Sequence, residues 1–229
     1  MFEGFDFDVI RRALPYLWEG MQFSLGLTLL AMLGGIFLGT VLALMRLSPF
    51  KIFSYPAGAY VNLVRSIPLI LVIFWFYFLI PIAIKQITGN PYASGIGPFY
   101  SALIAFTMFE AAYYCEIIRA GIQSVPRGQV SAAYALGLNY RQATMRVILP
   151  QAFRNMVPIL LTTSIILFQD TSLVYVVGLT DFMGAASKVA RRDGRLVELY
   201  LFAALIYFII CFSASYFVKR MQARYDVGR

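Results

Sequence analysis

Residues 20–45 read GMQFSLGLTLLAMLGGIFLGTVLALM, a run of 26 residues without a charged side chain. A helix of about 20 apolar residues crosses the hydrocarbon core of a bilayer, so this run is long enough to do so. Gly35 and Gly39 lie four residues apart within it, the small-xxx-small spacing that lets two helices approach closely. The run therefore predicts a transmembrane helix with a tightly packed neighbour.

Four further runs of the same kind follow along the chain. They occupy residues 67–84, 86–109, 155–180 and 199–218, and Asp170 is the one charged residue among them. Charged residues make up 13% of the chain, about half the share found in soluble domains, and too little polar sequence remains to cover a soluble core. We therefore predict an all-α integral membrane protein with about five transmembrane helices.

The termini divide the chain into three parts. Residues 1–19 carry four acids and two arginines and lack the basic start of a signal peptide, so we expect a short amphipathic segment on the extracytoplasmic side. Residues 20–219 form the membrane domain, and residues 220–229 form a cytoplasmic tail. The two cysteines fall inside predicted spans, where we expect them to serve packing.

The orientation follows from the distribution of lysine and arginine. Five spans put the termini on opposite sides, and an outside N-terminus places 12 of the 19 basic residues in the cytoplasm and 7 outside. Because basic loops remain in the cytoplasm, we expect the N-terminus outside and the C-terminus inside. The long loop at about 120–154 is then cytoplasmic. The basic stretch 188–195 lies outside, against the rule.

Acidic residues within the spans are candidates for function. An ionised side chain at the bilayer centre costs at least ~2.5–3.5 kcal/mol, so Glu110 should face the bundle interior, with Tyr114 on the same helical face. It either fixes helix packing or lines a transport path or gate. Glu116 and Arg119, three residues apart, are spaced to form an ion pair.

Asp170, Thr171 and Ser172 supply three short polar side chains in the middle of the fourth run. Such residues cap a helix start or hydrogen-bond a locally broken backbone, which membranes tolerate beside a cavity. We expect a bend here, at which Asp170 either lies on the transport path or only caps a kinked helix.

Several chemistries are missing from the sequence. There is no histidine, no phosphate-binding GxxxxGK[ST] loop, no metal-ligand cluster and no clustering of basic with aromatic residues. We therefore expect no catalytic residue, no bound metal, no cofactor in this chain and no nucleic-acid partner. Transport or scaffolding remains.

The stretch SAAYALGLNYRQATMRVILP, residues 131–150, resembles the EAA loop of ATP-binding-cassette importer permeases. The matching positions are Ala132, Ala133, Gly137, Leu149 and Pro150, and Val147 stands where the family has isoleucine. Arg65 begins a stretch similar to the Arg-x-x-Pro-Leu element of the polar amino-acid branch, and the segments around Glu110 and Asp170 resemble that branch too. The family's glutamate is Ser131 here, which we expect to cap the coupling helix. Arg141 and Arg146 are then expected to meet acidic groups of an ATPase.

This resemblance implies the type I importer permease fold, with the loop at 131–150 acting as one coupling helix that ends at Ile-Leu-Pro. It implies as partners two cytoplasmic ATPase subunits that bind ATP and Mg, a second membrane subunit (a sister chain or an identical copy) and an extracytoplasmic solute-binding protein. It places the complex in the bilayer of a bacterial inner membrane. Whole-chain similarity favours glutamate and aspartate as substrates. A cationic or neutral polar amino acid, of the glutamine, arginine or histidine type, and a non-transporting scaffold are the alternatives.

Overall fold

The computed structural model describes the backbone of residues 6–90 and 95–226, and side chains as far as residue 223. Residues 1–5 of the predicted N-terminal segment and residues 227–229 of the predicted tail lie outside these ranges. The described residues form helices and connecting turns without a strand. Five of the helices are long and apolar enough to cross a membrane, which agrees with the predicted number.

The helices are numbered here in chain order. The five candidate spans are α1 (Phe7–Leu47), α3 (Leu69–Thr88), α4 (Gly97–Gln123), α6 (Tyr140–Val177) and α8 (Leu196–Asp226). Three shorter helices connect them: α2 (Lys51–Arg65), α5 (Arg127–Ala135) and α7 (Phe182–Asp193).

Helix α1 begins earlier than the sequence predicts. Asp6 caps it by accepting hydrogen bonds from the backbone N–H groups of Asp8 and Val9, and the helix continues without a break into the first span. Residues 7–19 thus belong to the same helix as the first span, and their place on the extracytoplasmic side stays a prediction. The reason for the continuous helix is a buried stripe at four-residue spacing, Val9, Ala13 and Leu17, which packs in one core cluster with residues of α7 and α8.

Helix α4 lies at the centre of the bundle and is the most buried of the five candidate spans. The close approach predicted for Gly35 and Gly39 occurs against this helix. A Cβ atom at Gly39 would lie 2.8 Å from the Cβ of Tyr114 and 2.9 Å from the backbone oxygen of Ala111. The two glycines therefore allow the backbones of α1 and α4 to touch, which positions the acidic residues of α4 inside the protein.

Candidate functional site

Glu110 lies in the middle of α4 and its side chain is 3% exposed. It is covered by α1, because a Cβ atom at Gly35 would be 3.0 Å from its own Cβ. The predicted inward orientation is confirmed. Its Oε2 atom is buried and has no hydrogen-bond partner among the described residues. A buried polar atom without a partner is costly, so Glu110 is an unusual residue for a purely structural position.

Tyr114 continues the face that Glu110 begins. Its side chain is fully buried, and its hydroxyl lies 3.1 Å from the hydroxyl of Ser164 on α6. Asp170, half-buried at the far end of the same α-helical stretch of α6, is near enough for its carboxylate to interact electrostatically with that of Glu110. The tertiary structure thus packs Tyr114 of α4 against α6 and places the carboxylate of Asp170 within electrostatic range of Glu110.

Glu116 forms the ion pair with Arg119 that the spacing predicts, with 2.7 Å between Oε2 and a guanidinium nitrogen. A second arginine also reaches this carboxylate, because Arg46 at the end of α1 contacts its other oxygen. Sequence spacing contains no signal for this contact, since 70 residues separate the two side chains. The carboxylate is shared by two guanidinium groups and ties α1 to α4.

Arg65 ends α2 and is exposed, with its guanidinium 5.2 Å from the centre of the Tyr113 ring. This distance is within the range of a cation–π interaction. Within the described part of the chain Arg65 makes no ion pair, whereas Arg119 is paired with Glu116. Tyr113 is absent from the predicted site. Its one signal in the sequence is its position three residues after Glu110.

At Asp170, Thr171 and Ser172, where the sequence predicts a bend, the helix changes type and Asp170 forms no cap. The α-helical part of α6 ends at Asp170 and the chain continues as a 3-10 helix over Thr171–Val177, with no capping hydrogen bond from Asp170. The hydroxyl of Thr171 donates to the backbone oxygen of Phe168. Of the two alternatives for Asp170, the helix cap is not what the structure has, since the backbone stays helical there, and a place on the transport path stays a prediction.

The helix cap lies at Asp181. Gly178 turns the chain with φ of 82°, and the carboxylate of Asp181 accepts hydrogen bonds from the N–H groups of Met183 and Gly184 at 2.9 and 3.0 Å. The N–H of Phe182 donates to Ser24 on α1, which ties α7 to the first span. Burial raises the pKa of Asp181 to about 6, although these backbone hydrogen bonds and the charge of Lys188 lower it. The Gly-x-x-Asp pattern at 178–181 is the signal that the sequence offered for this cap.

The predicted single coupling helix at 131–150 is two helices. Helix α5 ends at Ala135, Gly137 takes φ of 80°, and Asn139 begins α6 through a capping box with Gln142. Ser131 lies inside α5, whose N-cap position is held by Pro126, so the expected cap by Ser131 is wrong. The cause is that the helix begins at Arg127, so its N-cap position lies five residues before Ser131.

Residues 140–150 form the beginning of the fourth span and not the end of a loop helix. A π-helical turn at Thr144–Ile148 precedes Pro150, which occupies the first turn of the following α-helical segment. Proline has no N–H to donate, and a wider turn before it accommodates that loss. The expected helix end at Ile-Leu-Pro is therefore wrong. Arg141 and Arg146 are exposed on this part of α6, whereas Val147 and Leu149 are half-buried.

The surface around the α5–α6 turn also carries apolar side chains that the predicted site omits. Leu136 is 83% exposed and Tyr140 is 74% exposed, next to the exposed Ser131 and Ala132, while Ala133 is buried. Apolar side chains gathered at an exposed turn are a candidate contact surface. Hydropathy gives no sign of this, because the same letters occur throughout the membrane spans.

The basic stretch at 188–195 forms the last turns of α7 and the Gly194 turn after it. Arg192 makes two hydrogen bonds to the Asp193 carboxylate, and these hold the pKa of that carboxyl below its usual range. Arg195 forms a further ion pair with Glu198 at 3.2 Å, so Arg192 and Arg195 are both paired locally.

The chain is similar to known membrane transport proteins. Residues 35–227 match the family described as binding-protein-dependent transport system inner membrane component. The glutamate/aspartate import permease GltK of Escherichia coli O6:H1 is 52% identical over 220 residues, covering 96% of this chain and 98% of that protein. The L-cystine transport system permease TcyB of Bacillus subtilis is 35% identical, covering 93% and 87%. A crystal structure of an amino acid ABC transporter superposes with a TM-score of 0.86 at 30% identity, covering 96% of this chain and 98% of that one.

Proposed function

The chain belongs to the family of binding-protein-dependent transport system inner membrane components, and we propose that it carries glutamate and aspartate as a permease subunit of an ATP-driven importer. The observation that carries the substrate is the 52% identity to a glutamate/aspartate permease over nearly the full length of both chains. The cystine permease, at 35% identity, is more distant, so the neutral alternative is not favoured.

The permease works with an ATPase and a solute-binding protein. We propose two ATPase subunits, which bind ATP and Mg in the cytoplasm, and a second membrane subunit beside this one. Closure of the ATPase pair on ATP moves the α5–α6 turn, and the membrane helices rock between outward-open and inward-open states. Catalysis of ATP hydrolysis then resides in the partner chains, and this chain converts it into movement.

The ATPase docks on the exposed surface of α5 and the start of α6. Four residues that the sequence predicts for this surface are exposed: Ser131, Ala132, Arg141 and Arg146. The apolar side chain of Leu136 extends the same surface. Exposed arginines pair with acidic groups of the partner, and the apolar side chain is buried in the contact.

Charge reversal tests this docking surface. The double variant Arg141→Glu and Arg146→Glu should reduce co-purification of the ATPase. Arg154→Glu, an exposed arginine further along α6, is the matched control and should leave it unchanged. Equal ATPase recovery with both would refute the docking surface.

The substrate path passes the α4 residues. An amino acid carries an ammonium group and a carboxylate, and glutamate and aspartate carry one carboxylate more. The unpartnered Oε2 of Glu110 accepts a hydrogen bond from the ammonium group. The guanidinium of Arg65, which makes no ion pair in the described part of the chain, lies over the ring of Tyr113, three residues after Glu110 on α4. It binds a carboxylate of the substrate.

Uptake of labelled glutamate into proteoliposomes with the complete complex tests both roles. Arg65→Gln should lower uptake roughly tenfold, since a hydrogen bond to a charged group contributes about 1.5–3 kcal/mol. Lys51→Gln is the control, because Lys51 is the other cation of α2 held over an aromatic ring, 5.9 Å from the centre of Tyr55. Glu110→Gln should lower uptake while the complex still assembles. Stimulation of ATP hydrolysis by lysine or arginine, but not by glutamate, would refute the proposed substrates.

We propose an inner-membrane orientation with the N-terminus outside. A cysteine at Ser131 should then react with a membrane-impermeant thiol reagent from the cytoplasmic side only, and a cysteine at Arg191 from the outside only. Both positions are exposed, and the native cysteines are buried. The reverse pattern of labelling would contradict the orientation.

A further inference from the structure

Two apolar grooves run between the first part of α1 and the first part of α8. They measure about 410 and 370 Å³, and Leu14 and Phe202 line both, so the two form one continuous channel on the surface of the bundle. The α1 residues that line the channel run from Phe7 to Met21, about 21 Å at the helical rise of 1.5 Å per residue. An extended acyl chain fits an elongated apolar channel of this kind.

The outer end of this channel is charged. Arg11 lines the first groove and also an adjoining pocket of about 590 Å³ that contains Asp6, Asp8 and Arg12. Arg11 is exposed and makes no ion pair within the ranges that the structure describes, while Arg12 donates to the backbone oxygen of Asp8. Two carboxylates and two guanidinium groups give this pocket no formal net charge.

The charged pocket lies at the level of the lipid headgroups. Leu201 and Leu205, which line the same groove as Arg11, belong to the first turns of the last span. Trp18, which is 59% exposed, lines the second groove and lies deeper than this level. Arg11 precedes it by two helical turns, about 10 Å further out. An arginine there lies within reach of lipid phosphate.

We propose that this site binds one phospholipid with a primary-amine headgroup. An acyl chain fills the apolar channel, the guanidinium of Arg11 binds the phosphate, and the carboxylates of Asp6 and Asp8 accept hydrogen bonds from the ammonium group. A glycerol headgroup leaves the lipid with a net negative charge beside two carboxylates. A trimethylated ammonium group has no N–H to donate. The pocket therefore selects a headgroup that carries both a phosphate and an ammonium with hydrogens.

Native mass spectrometry of the intact transport complex in detergent tests the proposal. Phosphatidylethanolamine, phosphatidylglycerol and phosphatidylcholine with identical acyl chains are added in titrations. The ethanolamine lipid should bind in a single saturable step and at least several-fold more tightly than the other two. Binding is measured on the assembled complex, so its outcome is independent of which amino acid is transported.

Variants separate the headgroup from the acyl chain. Arg11→Gln should weaken binding of the ethanolamine lipid roughly tenfold, and Asp8→Asn should abolish its preference over the glycerol lipid. Leu14→Trp, at a 47% exposed position that lines both grooves, should block binding of all three lipids. The matched control is Lys85→Gln, an exposed cation at the end of α3. This control should leave the affinity for all three lipids unchanged.

Three results would overturn the proposal. They are equal affinity for the three lipids, unchanged affinity in both Arg11→Gln and Leu14→Trp, and a loss in Lys85→Gln as large as the loss in Arg11→Gln.

Discussion

Replacing Gly39 with alanine puts a methyl group into the contact between α1 and α4. The new carbon would lie 2.8 Å from the Cβ of Tyr114, 2.9 Å from the oxygen of Ala111 and 3.0 Å from the nitrogen of Cys115. Two of these neighbours are backbone atoms, so no side-chain rotation relieves the overlap and the helices must separate. Overpacking of this kind costs about 1–3 kcal/mol.

Gly26→Ala is the matched control on the same helix, because nothing lies within 4 Å of a Cβ atom at that position. Both substitutions replace a helical glycine with alanine, so the gain in helix propensity, about 1 kcal/mol, cancels in the comparison. Gly39→Ala should therefore unfold at a temperature roughly 2–12 °C below that of Gly26→Ala. Thermal unfolding of the detergent-purified protein measures this difference. Equal melting temperatures would refute the close helix contact.

Three other changes follow from the same structure. Glu116→Gln removes the carboxylate shared by two partly buried arginines and should cost about 1–3 kcal/mol of unfolding free energy, visible as a lower melting temperature. Asp181→Asn should remove a pH dependence of the free energy of unfolding. The folded-state pKa of Asp181, about 6, lies above the ordinary 3.8. The wild type should therefore lose up to roughly 3 kcal/mol of unfolding free energy as pH rises from about 4 through 6, and the variant should not. Melting curves at pH 4.5 and 7.5 measure it, and parallel pH dependence in both proteins would contradict it. Gly137→Pro cannot adopt φ of 80°, so it should lose ATPase co-purification, whereas Gly128→Ala, with open space around it, should retain it.

Much of the fold is predictable from hydropathy alone. The five spans follow from runs of 18 to 26 uncharged or nearly uncharged residues, because backbone polar groups in a bilayer must be satisfied within a helix. The buried position of Glu110 follows from the same energetic argument. The pair of Glu116 with Arg119 is a local contact, set by the helical repeat, and spacing is sufficient to predict it.

Helix ends were the least predictable feature. The expected cap at Ser131 and the alternative cap at Asp170 are absent, because a capping side chain acts only where the backbone opens, and tertiary contacts decide that place. The next helix, α7, packs on α1 through Ser24, and its cap is Asp181. The same packing extends α1 back to Phe7, since its stripe of small apolar residues is buried by α7 and α8.

The sequence by itself determines a five-span helical membrane protein with an acid held inside the bundle, because the cost of exposing polar groups to lipid leaves few other arrangements. Only the tertiary structure decides which distant side chains share a site. Arg46 meets Glu116, Arg65 lies over Tyr113 three residues from Glu110, and Arg11 lies beside the last span. These contacts depend on how helices far apart in the chain pack against one another, and helical periodicity describes one helix at a time.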